Sequence, residues 1–252
     1  MRAAARVADL MRVAVISDIH ANLHAFDAVL LELEDEPHDE LWCLGDLVGY
    51  GPRPNECCAL VRERSDVCLV GNHDLVALGS LPIGDFNLEA AVAARWTSSK
   101  LTEESRAFLS SLEPTATATG VELFHASARD PVWEYVLSEE AARASLALTT
   151  APVVLVGHSH VALALLLDGA DMTGGLAPAG SECDLAAGRW LLNPGAVGQP
   201  RDGDPRAAYL LLDLEQRFAR FHRVAYSVER TQAEIRECGL PDALATRLAF
   251  GQ

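Results

Sequence analysis

Short apolar runs of this sequence are repeatedly followed by side chains of the types that bind metal ions. The seven candidates are Asp18, His20, Asp46, Asn72, His125, His158 and His160. A lone histidine is more often a surface or packed residue than a ligand, but carboxylate, amide and imidazole donors at five successive strand ends favour one common site. A single dication cannot take seven protein ligands and still leave room for a substrate. The pattern therefore predicts a site for two metal ions.

The segment at residues 71–74, Gly-Asn-His-Asp, adds two residues that can act on a substrate. His73 follows the candidate ligand Asn72 and can donate a proton, and Asp74 can orient the imidazole ring. Taken alone, the tetrapeptide is typical of a turn at the end of a strand, because Gly-Asn and His-Asp pairs are common turn formers. A catalytic role for His73 and Asp74 therefore depends on whether the other candidate ligands are brought to the same place.

The elements before these residues must bring them together, and the first part of the chain predicts βαβ units. Apolar runs at 12–17, 41–44 and 67–70 have the length of buried strands, and apolar residues at helical spacing lie between them, at 23–34 and 55–64. In such units the strands are parallel, and ligands gather beyond their carboxyl ends. The first four candidate ligands lie at those ends.

Two pairs of candidate ligands are separated by a single residue. Asp18 with His20, and His158 with His160, each follow a predicted strand. In an extended loop, side chains two residues apart project to the same side. Each pair is therefore expected to present both of its members to one site.

Beyond residue 74 the sequence predicts a helical insertion and then a second series of strands. The predicted elements are a helical insertion at about 75–120 with helices at 87–100 and 103–112, strands at 121–124, 152–156, 162–168 and 189–192, a helix at 139–148, a hairpin at 207–214 and 217–226, and a C-terminal helix at about 229–250 that is interrupted near Gly239. No repeat or change of composition marks a second domain. Residues 11–252 are expected to form one domain, with residues 1–10 as a loose N-terminal tail.

The composition limits the classes of function. Hydrophobic residues make up 50% of the 252 residues, which supplies a large core, and the net charge of -16 disfavours binding to nucleic acid or an anionic membrane. No apolar stretch reaches the roughly 18 residues of a membrane span.

The six cysteines form no C-x-x-C pair and follow no export signal, which indicates reduced thiols and a cytoplasmic protein. Any phosphate substrate of so acidic a chain would have to be attracted locally, and bound dications are the obvious source of positive charge.

In their order and spacing the motifs resemble the calcineurin-like metallophosphoesterase superfamily. The matching motifs are D-x-H at residues 18–20, G-D at 45–46, G-N-H-D at 71–74, a lone histidine at 125 and G-H-x-H at 157–160. The resemblance extends over roughly residues 11–226. The stretches G-D-L-V-G-Y-G-P-R-P-N-E and N-P-G-A-V-G-Q-P-R-D-G-D-P are similar to a branch of small bacterial and archaeal phosphodiesterase-like members.

The resemblance implies a ligand set and a mechanism. Asp18, His20 and His160 would hold one ion, Asn72, His125 and His158 would hold the other, and Asp46 would bridge both. A hydroxide shared by the ions would attack phosphorus in line, while His73 would stabilise the transition state or protonate the leaving oxygen, its ring oriented by Asp74. The implied cofactors are two divalent transition-metal ions. Manganese is favoured over Fe, Zn, Co and Ni, and the numerous imidazole ligands argue against Mg and Ca.

The resemblance also implies an α/β fold, a four-layer α/β/β/α sandwich of two mixed β-sheets flanked by helices. The implied function is hydrolysis of a phosphodiester or related small phosphate ester by a metal-dependent phosphoric ester hydrolase. Alternatives are a dinucleoside-polyphosphate or nucleotide hydrolase, a protein phosphatase and, from another class, a non-catalytic protein-binding scaffold, which can lose ligands without consequence. This chain keeps every motif residue. The expected partner is a small phosphate-ester substrate rather than nucleic acid or a membrane, and a homo-oligomer is left open.

Two residues near the motifs have open roles. Arg201 is the protein cation best suited to contact a substrate, but a salt bridge with Asp202 or Asp204 explains its presence equally well. Tyr50 either lines the substrate cleft or caps its loop. The sequence does not decide between these alternatives.

Overall fold

The computed structural model describes residues 11–252, and the tail predicted for residues 1–10 lies outside them. The described strands are β1 (Arg12–Ile16), β2 (Glu40–Cys43), β3 (Val67–Cys68), β4 (Thr115–Ala118), β5 (Val121–Phe124), β6 (Val153–Val156), β7 (Leu163–Asp168), β8 (Asp171–Leu176), β9 (Glu182–Asp184), β10 (Arg189–Asn193), β11 (Ala207–Asp213) and β12 (Phe218–Val224). The described α-helices are α1 (Leu23–Asp35), α2 (Pro54–Arg64), α3 (Asn72–Leu78), α4 (Leu88–Lys100), α5 (Glu103–Ser110), α6 (Glu139–Leu146), α7 (Val228–Glu237) and α8 (Asp242–Thr246). Short 3-10 helices occur at Ile83–Asp85 and Arg247–Phe250.

The strands form two mixed six-stranded sheets. In the first sheet the order is β3-β2-β1-β11-β12-β9, and β1, β2 and β3 are parallel. In the second sheet the order is β4-β5-β6-β10-β7-β8, and β5, β6 and β10 are parallel. Each sheet thus contains a parallel trio, and the candidate ligands follow five of these six strands at their carboxyl ends.

The side chains of the central strands alternate between two cores. On β1, Val13 and Val15 lie in a core that contains residues of both sheets, whereas Ala14 and Ile16 lie in a core shared with helices. Trp42 on β2 is fully buried in the first of these cores. Because both faces of these strands are covered, they read in the sequence as continuous apolar runs rather than as an alternating pattern.

Helices cover the outer face of each sheet and complete the expected four-layer α/β/β/α sandwich. Phe26 of α1 and Val61 of α2 pack against the first sheet, and Leu146 of α6 packs against the second. Asn22 caps the start of α1 by accepting the N–H of Ala25. Among residues 11–252, no helix has both the length and the apolar character that crossing a bilayer requires.

The segment expected to be a helical insertion differs from the expectation at both ends. Residues 115–118 form β4, antiparallel to β5, and this edge strand has no buried residue and therefore no apolar run to reveal it. At the other end α3 begins at Asn72, so residues 71–74 open a helix instead of forming the turn that the tetrapeptide alone favours. Later in the chain, α7 and α8 lie where the sequence predicts an interrupted helix.

Candidate metal centre

Hydrogen bonds beyond the ends of the parallel strands fix the loops against one another. The N–H of Asp18 donates to the carbonyl of Gly45 (3.0 Å), and the N–H of His20 donates to the carbonyl of Asp46 (2.9 Å). A link to the second sheet comes from His158, whose N–H donates to Oδ2 of Asp18 (3.1 Å). These bonds hold candidate ligands from neighbouring strands, and from both sheets, at one common edge.

Five of the seven candidate ligands have a left-handed rather than an extended backbone conformation. Positive φ angles occur at Asp18 (55°), His20 (48°), Asp46 (53°), His158 (62°) and His160 (58°). The paired ligands do face one site, as expected, but the extended-loop reasoning is wrong, because left-handed residues curl each loop around the site. Such conformations cost on the order of 1 kcal/mol each and cluster at functional sites.

The candidate ligand atoms form two groups that share the residue Asp46. Within each group, all ligand atoms lie within 4.8 Å of one another. The first group is Asp18, His20, Asp46 and His160, and the second is Asp46, His125 and His158. Asn72 adjoins the second group, with its Oδ1 3.2 Å from Nε2 of His125. All seven side chains are buried. The structure therefore brings all seven candidates together, in the grouping that the resemblance implies.

Hydrogen bonds to backbone carbonyls fix the protonation of the imidazoles in the first group. Nδ1 of His20 lies 3.1 Å from the carbonyl oxygen of Val48, and Nδ1 of His160 lies 2.7 Å from that of Gln199. A carbonyl only accepts, so each Nδ1 carries the proton and each Nε2 keeps its lone pair. The two Nε2 atoms face each other at 2.9 Å. Two lone pairs at this distance repel, and a cation bound by both replaces the repulsion with attraction.

The second group is oriented in the same way. Nδ1 of His125 donates to the carbonyl of Leu44 (2.8 Å), so its Nε2 faces the amide oxygen of Asn72 with a lone pair. In His158 the other nitrogen, Nε2, donates to the carbonyl of Trp133 (3.1 Å), which leaves Nδ1 as the ligand atom. Carbonyl partners of this kind set the tautomer and ring orientation of metal-binding histidines.

Asp46 faces the two groups with different carboxylate oxygens. Oδ2 lies 3.5 Å from Nε2 of His20, and Oδ1 lies 3.7 Å from Nε2 of His125. Oδ1 also accepts the backbone N–H of His73 (2.9 Å), while Oδ2 of Asp46 and Oδ1 of Asp18 are buried without a hydrogen-bond partner. Buried charged oxygens without a partner are costly, and a nearby cation removes that cost. The donor set therefore fits divalent ions on both sides of Asp46.

Burial controls the charge of these groups. It raises the pKa of Asp18 to about 7 and the pKa of Asp46 well above its usual value, because a carboxylate is poorly solvated there. It lowers the pKa of His20 and His160 well below 6.5, and the positive charge of Arg201 lowers both further. At neutral pH these imidazoles are thus neutral and able to ligate, while the carboxylates exchange a proton for a cation.

Asp74 fixes the loops rather than the ring of His73. Its carboxylate accepts the backbone N–H groups of Leu47 (3.2 Å), Val48 (2.9 Å) and Gly71 (3.0 Å). Nδ1 of His73 is buried without a hydrogen-bond partner. The expectation that Asp74 orients the ring is therefore corrected, because its position in the first turn of α3 directs the carboxylate back to the helix start. Asp74 couples the loop after β2 to the start of α3.

The absence of a side chain at Gly71 allows these two loops to approach. A Cβ atom at this position would lie 2.0 Å from Oδ1 of Asp46, which is shorter than any real contact. The φ angle of Gly71 is -104°, a value that any residue adopts. Glycine is therefore required here by the position of the Asp46 carboxylate and not by the backbone conformation.

The ring of His73 packs among other rings beside the first ligand group. Its centroid lies 4.3 Å from that of Tyr50, 4.4 Å from that of Phe86 and 4.8 Å from that of His20. Burial lowers the pKa of His73 well below its usual value, with a smaller contribution from His20. Without a substrate the ring is therefore neutral, and it adjoins the ligand groups without belonging to either.

Arg201 and Tyr50, whose roles the sequence leaves open, contact each other. Nη2 of Arg201 donates to Oε1 of Gln199 (3.0 Å) and lies 3.4 Å from the Tyr50 hydroxyl. Asp202 and Asp204 instead pair with other arginines, so within residues 11–252 Arg201 has no salt bridge. Tyr50 is buried against the rings of the site, which favours a place at the cleft over a simple cap of its loop.

Asn193, at the end of β10, is a positioning residue that the sequence analysis does not single out. Its buried amide nitrogen donates to the carbonyl of Gly157 (2.8 Å) and lies 3.0 Å from Oγ of Ser159. Its Oδ1 accepts the N–H of Gly195 (2.8 Å). Asn193 thus holds the loop that carries two candidate ligands. The available signal is a polar residue before Pro-Gly at the end of an apolar run, the pattern of the other ligand-bearing strands.

The sequence matches known proteins over most of its length. Residues 11–217 match the model of the calcineurin-like phosphoesterase superfamily domain. An uncharacterized protein of Methanocaldococcus jannaschii is 35% identical over 245 residues, which cover 95% of this chain and 98% of that protein. A symmetrical bis(5'-nucleosyl)-tetraphosphatase of Nitrosococcus oceani is 31% identical over 149 residues, which cover 56% of this chain and 52% of that protein.

Solved structures share the fold. A metallophosphoesterase of Sphaerobacter thermophilus has a TM-score of 0.87 and 40% sequence identity, covering 97% of this chain and 100% of that one. A hypothetical protein of Pyrococcus horikoshii has a TM-score of 0.78 at 19% identity, covering 96% and 99% of the two chains. The second likeness supports the fold alone.

Asp18→Asn is expected to stabilise the metal-free protein at neutral pH. Because its folded-state pKa of about 7 exceeds the 3.8 of an exposed carboxyl, Asp18 is neutral in both states below about pH 4, and its ionisation lowers the stability of the folded protein as the pH rises from about 4 to about 7. A difference of about three pKa units corresponds to roughly 4 kcal/mol. In urea unfolding with chelator, the variant should exceed the wild type in stability at pH 8 and match it near pH 4. The same pH dependence in both proteins contradicts the assignment.

Asp74→Ala is expected to destabilise the fold and to weaken metal binding together. Three buried N–H groups lose their acceptor, and each unsatisfied donor costs about 1–3 kcal/mol. Asp74→Asn keeps one acceptor oxygen and should give an intermediate loss. Urea unfolding and metal content are the measurements, with the exposed Asp27→Ala as the matched control. Near-normal stability of Asp74→Ala is the result that rules out this role.

Proposed function

This chain belongs to the calcineurin-like phosphoesterase superfamily, and on that premise we propose that it hydrolyses a phosphodiester or a related small phosphate ester with two divalent transition-metal ions. The observation that carries the proposal is the pair of ligand groups that share Asp46. Each carboxylate oxygen faces a different group, at 3.5 Å from Nε2 of His20 and at 3.7 Å from Nε2 of His125. Asp46 would therefore serve as a ligand to both ions.

Manganese is the ion that we favour for both positions. Each group combines imidazole nitrogen with carboxylate or amide oxygen, a donor set that suits Mn, Fe, Co, Ni and Zn better than Mg or Ca. Bound there, the ions would supply an activated water and neutralise charge on the phosphoryl oxygens. Local positive charge of this kind is needed for a chain with a net charge of -16 to attract a phosphate.

The protein's own groups would hold the ions, and one of them would act on the leaving group. Asp18, His20 and His160 would hold one ion and Asn72, His125 and His158 the other, with Asp46 shared. His73 is the group that we assign to proton donation, because it adjoins the first group and belongs to neither. An anionic phosphate beside the ring favours its protonated form and offsets the effect of burial on its pKa. Asp74 and Asn193 position the loops on which the ligands lie.

Hydrolysis of a dinucleoside polyphosphate or another nucleotide is the second candidate function. The similarity to a symmetrical bis(5'-nucleosyl)-tetraphosphatase supports it, although the match covers about half of each chain. The ring of Tyr135 is 48% exposed and stacks on His158 with centroids 4.2 Å apart. Its free face would offer a nucleobase a stacking surface next to the metal centre.

A protein-binding scaffold is the rival from another functional class, and the centre disfavours it. A scaffold needs neither buried metal ligands nor His73, whereas here all of them are buried together. We therefore favour an enzyme over a binding platform.

The six cysteines are free thiols, which supports a reducing compartment such as the cytoplasm for this enzyme.

Manganese-reconstituted protein is expected to bind about two ions per chain and to hydrolyse small phosphodiesters faster than phosphomonoesters or phosphopeptides. Asp46→Asn should lose at least one ion and reduce turnover roughly 100-fold or more, because the shared ligand holds both ions. The exposed Asp27→Asn is the control. Metal analysis and a panel that includes dinucleoside polyphosphates are the measurements. Faster hydrolysis of dinucleoside polyphosphates supports the nucleotide hydrolase instead. Two bound ions without turnover of any ester support the protein-binding scaffold.

His73→Ala is expected to keep its metal content but to lose turnover by about 10²–10⁴-fold on alkyl esters. An alkoxide needs a proton as it leaves, whereas nitrophenolate is a much weaker base, so the defect should shrink on nitrophenyl substrates. His73→Asn keeps an N–H donor but cannot transfer a proton, and it should resemble the alanine variant. If the asparagine variant is active on alkyl esters, the ring acts by hydrogen bonding instead. Loss of a metal would identify His73 as a ligand.

A further inference from the structure

Arg201 lies next to the metal centre with part of its hydrogen-bonding capacity unused. Its backbone N–H donates to the carbonyl of the candidate ligand His160 (3.0 Å). Its Nη2 donates to the side chain of Gln199 (3.0 Å) and lies 3.4 Å from the hydroxyl of Tyr50. Its Nε is buried and has no hydrogen-bond partner. A guanidinium N–H that is buried without a partner is costly unless an anion completes its contacts.

The partners of Arg201 also contact the first ligand group. Gln199 accepts Nη2 of Arg201 with its side chain (3.0 Å), and its backbone carbonyl accepts the Nδ1–H of His160 (2.7 Å). The ring of Tyr50 lies 4.7 Å from that of His20. The guanidinium is therefore held beside the first ligand group.

Tyr50 holds the guanidinium at this place without neutralising it. The guanidinium carbon lies 5.8 Å from the centroid of the Tyr50 ring. The same ring lies 4.7 Å from that of His20 and 4.3 Å from that of His73. Tyr50 has a left-handed φ of 57°, a conformation that persists only where the surroundings impose it. A cation held by an aromatic ring keeps its full charge and most of its N–H groups for another partner.

Carboxylates close to Arg201 in the sequence are bound elsewhere. Asp202 forms its ion pair with Arg223, and Asp204 pairs with Arg206 at 2.7 Å. In the part of the chain that the structure describes, Arg201 thus lacks the salt bridge that its two aspartate neighbours would otherwise provide. An arginine without a salt bridge beside the candidate ligands gives this acidic chain a local positive charge that can attract an anionic substrate.

We propose that Arg201, held by Tyr50 and Gln199, binds a non-bridging phosphoryl oxygen of the substrate. This inference rests on the proposed function and names the protein group that recognises the phosphoryl group. A planar guanidinium donates two parallel N–H bonds to phosphate oxygens, which an ammonium group cannot reproduce. The arginine therefore supplies orientation as well as charge, and it should act on substrate binding without holding the metals.

The test measures binding of inorganic phosphate to manganese-loaded protein by calorimetry, which needs no turnover. Arg201→Gln should weaken phosphate binding by about 10–100-fold, the usual worth of a hydrogen bond to a charged group, with metal content unchanged. Arg201→Lys should recover part of the affinity because it restores charge but not the planar fork. Tyr50→Phe removes only the hydroxyl contact and should lose a few-fold. Arg206→Gln removes an arginine that is paired with Asp204 and should change nothing.

Ester hydrolysis separates this inference from the proposed function. With an active wild type, Arg201→Gln should lower kcat/KM by a factor similar to the loss in phosphate affinity. If the wild type hydrolyses no ester, the proposed function fails, while the phosphate measurement still tests Arg201. If both Arg201 variants match the wild type in phosphate affinity and kcat/KM, the inference is overturned. Loss of metal from Arg201→Lys also overturns it, because the residue would then support the ligands instead of the substrate.

Discussion

The rest of the structure depends on one constraint, the mutual repulsion of buried nitrogen and oxygen atoms that direct lone pairs into the same space. Nε2 of His20 and Nε2 of His160 face each other at 2.9 Å, and carboxylate oxygens of Asp18 and Asp46 are buried without a hydrogen-bond partner. Away from water these groups repel one another and have nothing to solvate them. Only positive charge makes such a cluster favourable. The surrounding carbonyls and turns keep the lone pairs directed at the same space despite that repulsion.

The two parallel trios make this arrangement possible. Strands of one trio end at the same height, and docking of the two sheets brings the ends of both trios to one edge. Left-handed residues then follow β1, β2 and β6 and turn the polar side chains after these strands inward. The conformational cost of these turns is offset by the cores on both faces of the strands, where residues such as Trp42 and Leu155 are fully buried. The site is thus strained locally and supported by packing at a distance.

The sequence predicts the strands that precede the candidate ligands, because doubly covered strands read as apolar runs. It also indicates the candidates themselves, because polar residues stand at the ends of those runs. The groups that orient these side chains are much harder to predict from the sequence. The partners of Asp74 and the groups that orient His20 and His160 are backbone N–H and carbonyl groups, which any residue can supply. The sequence therefore suggests a hydrogen bond between Asp74 and the ring of His73, whereas the carboxylate accepts backbone N–H groups instead. The edge strand β4 is also not predicted, because it buries no residue and so has no apolar run in the sequence.

The candidate ligands are far apart along the chain. His20 and His160 are separated by 140 positions, yet their Nε2 atoms lie 2.9 Å apart. Closing so long a loop costs entropy, and a chain whose sheets have not docked cannot present the complete ligand set. Ions would therefore bind only after the folding barrier has been crossed. Metal loading would then prolong the lifetime of the folded protein by slowing its unfolding, while the rate of folding would stay nearly the same.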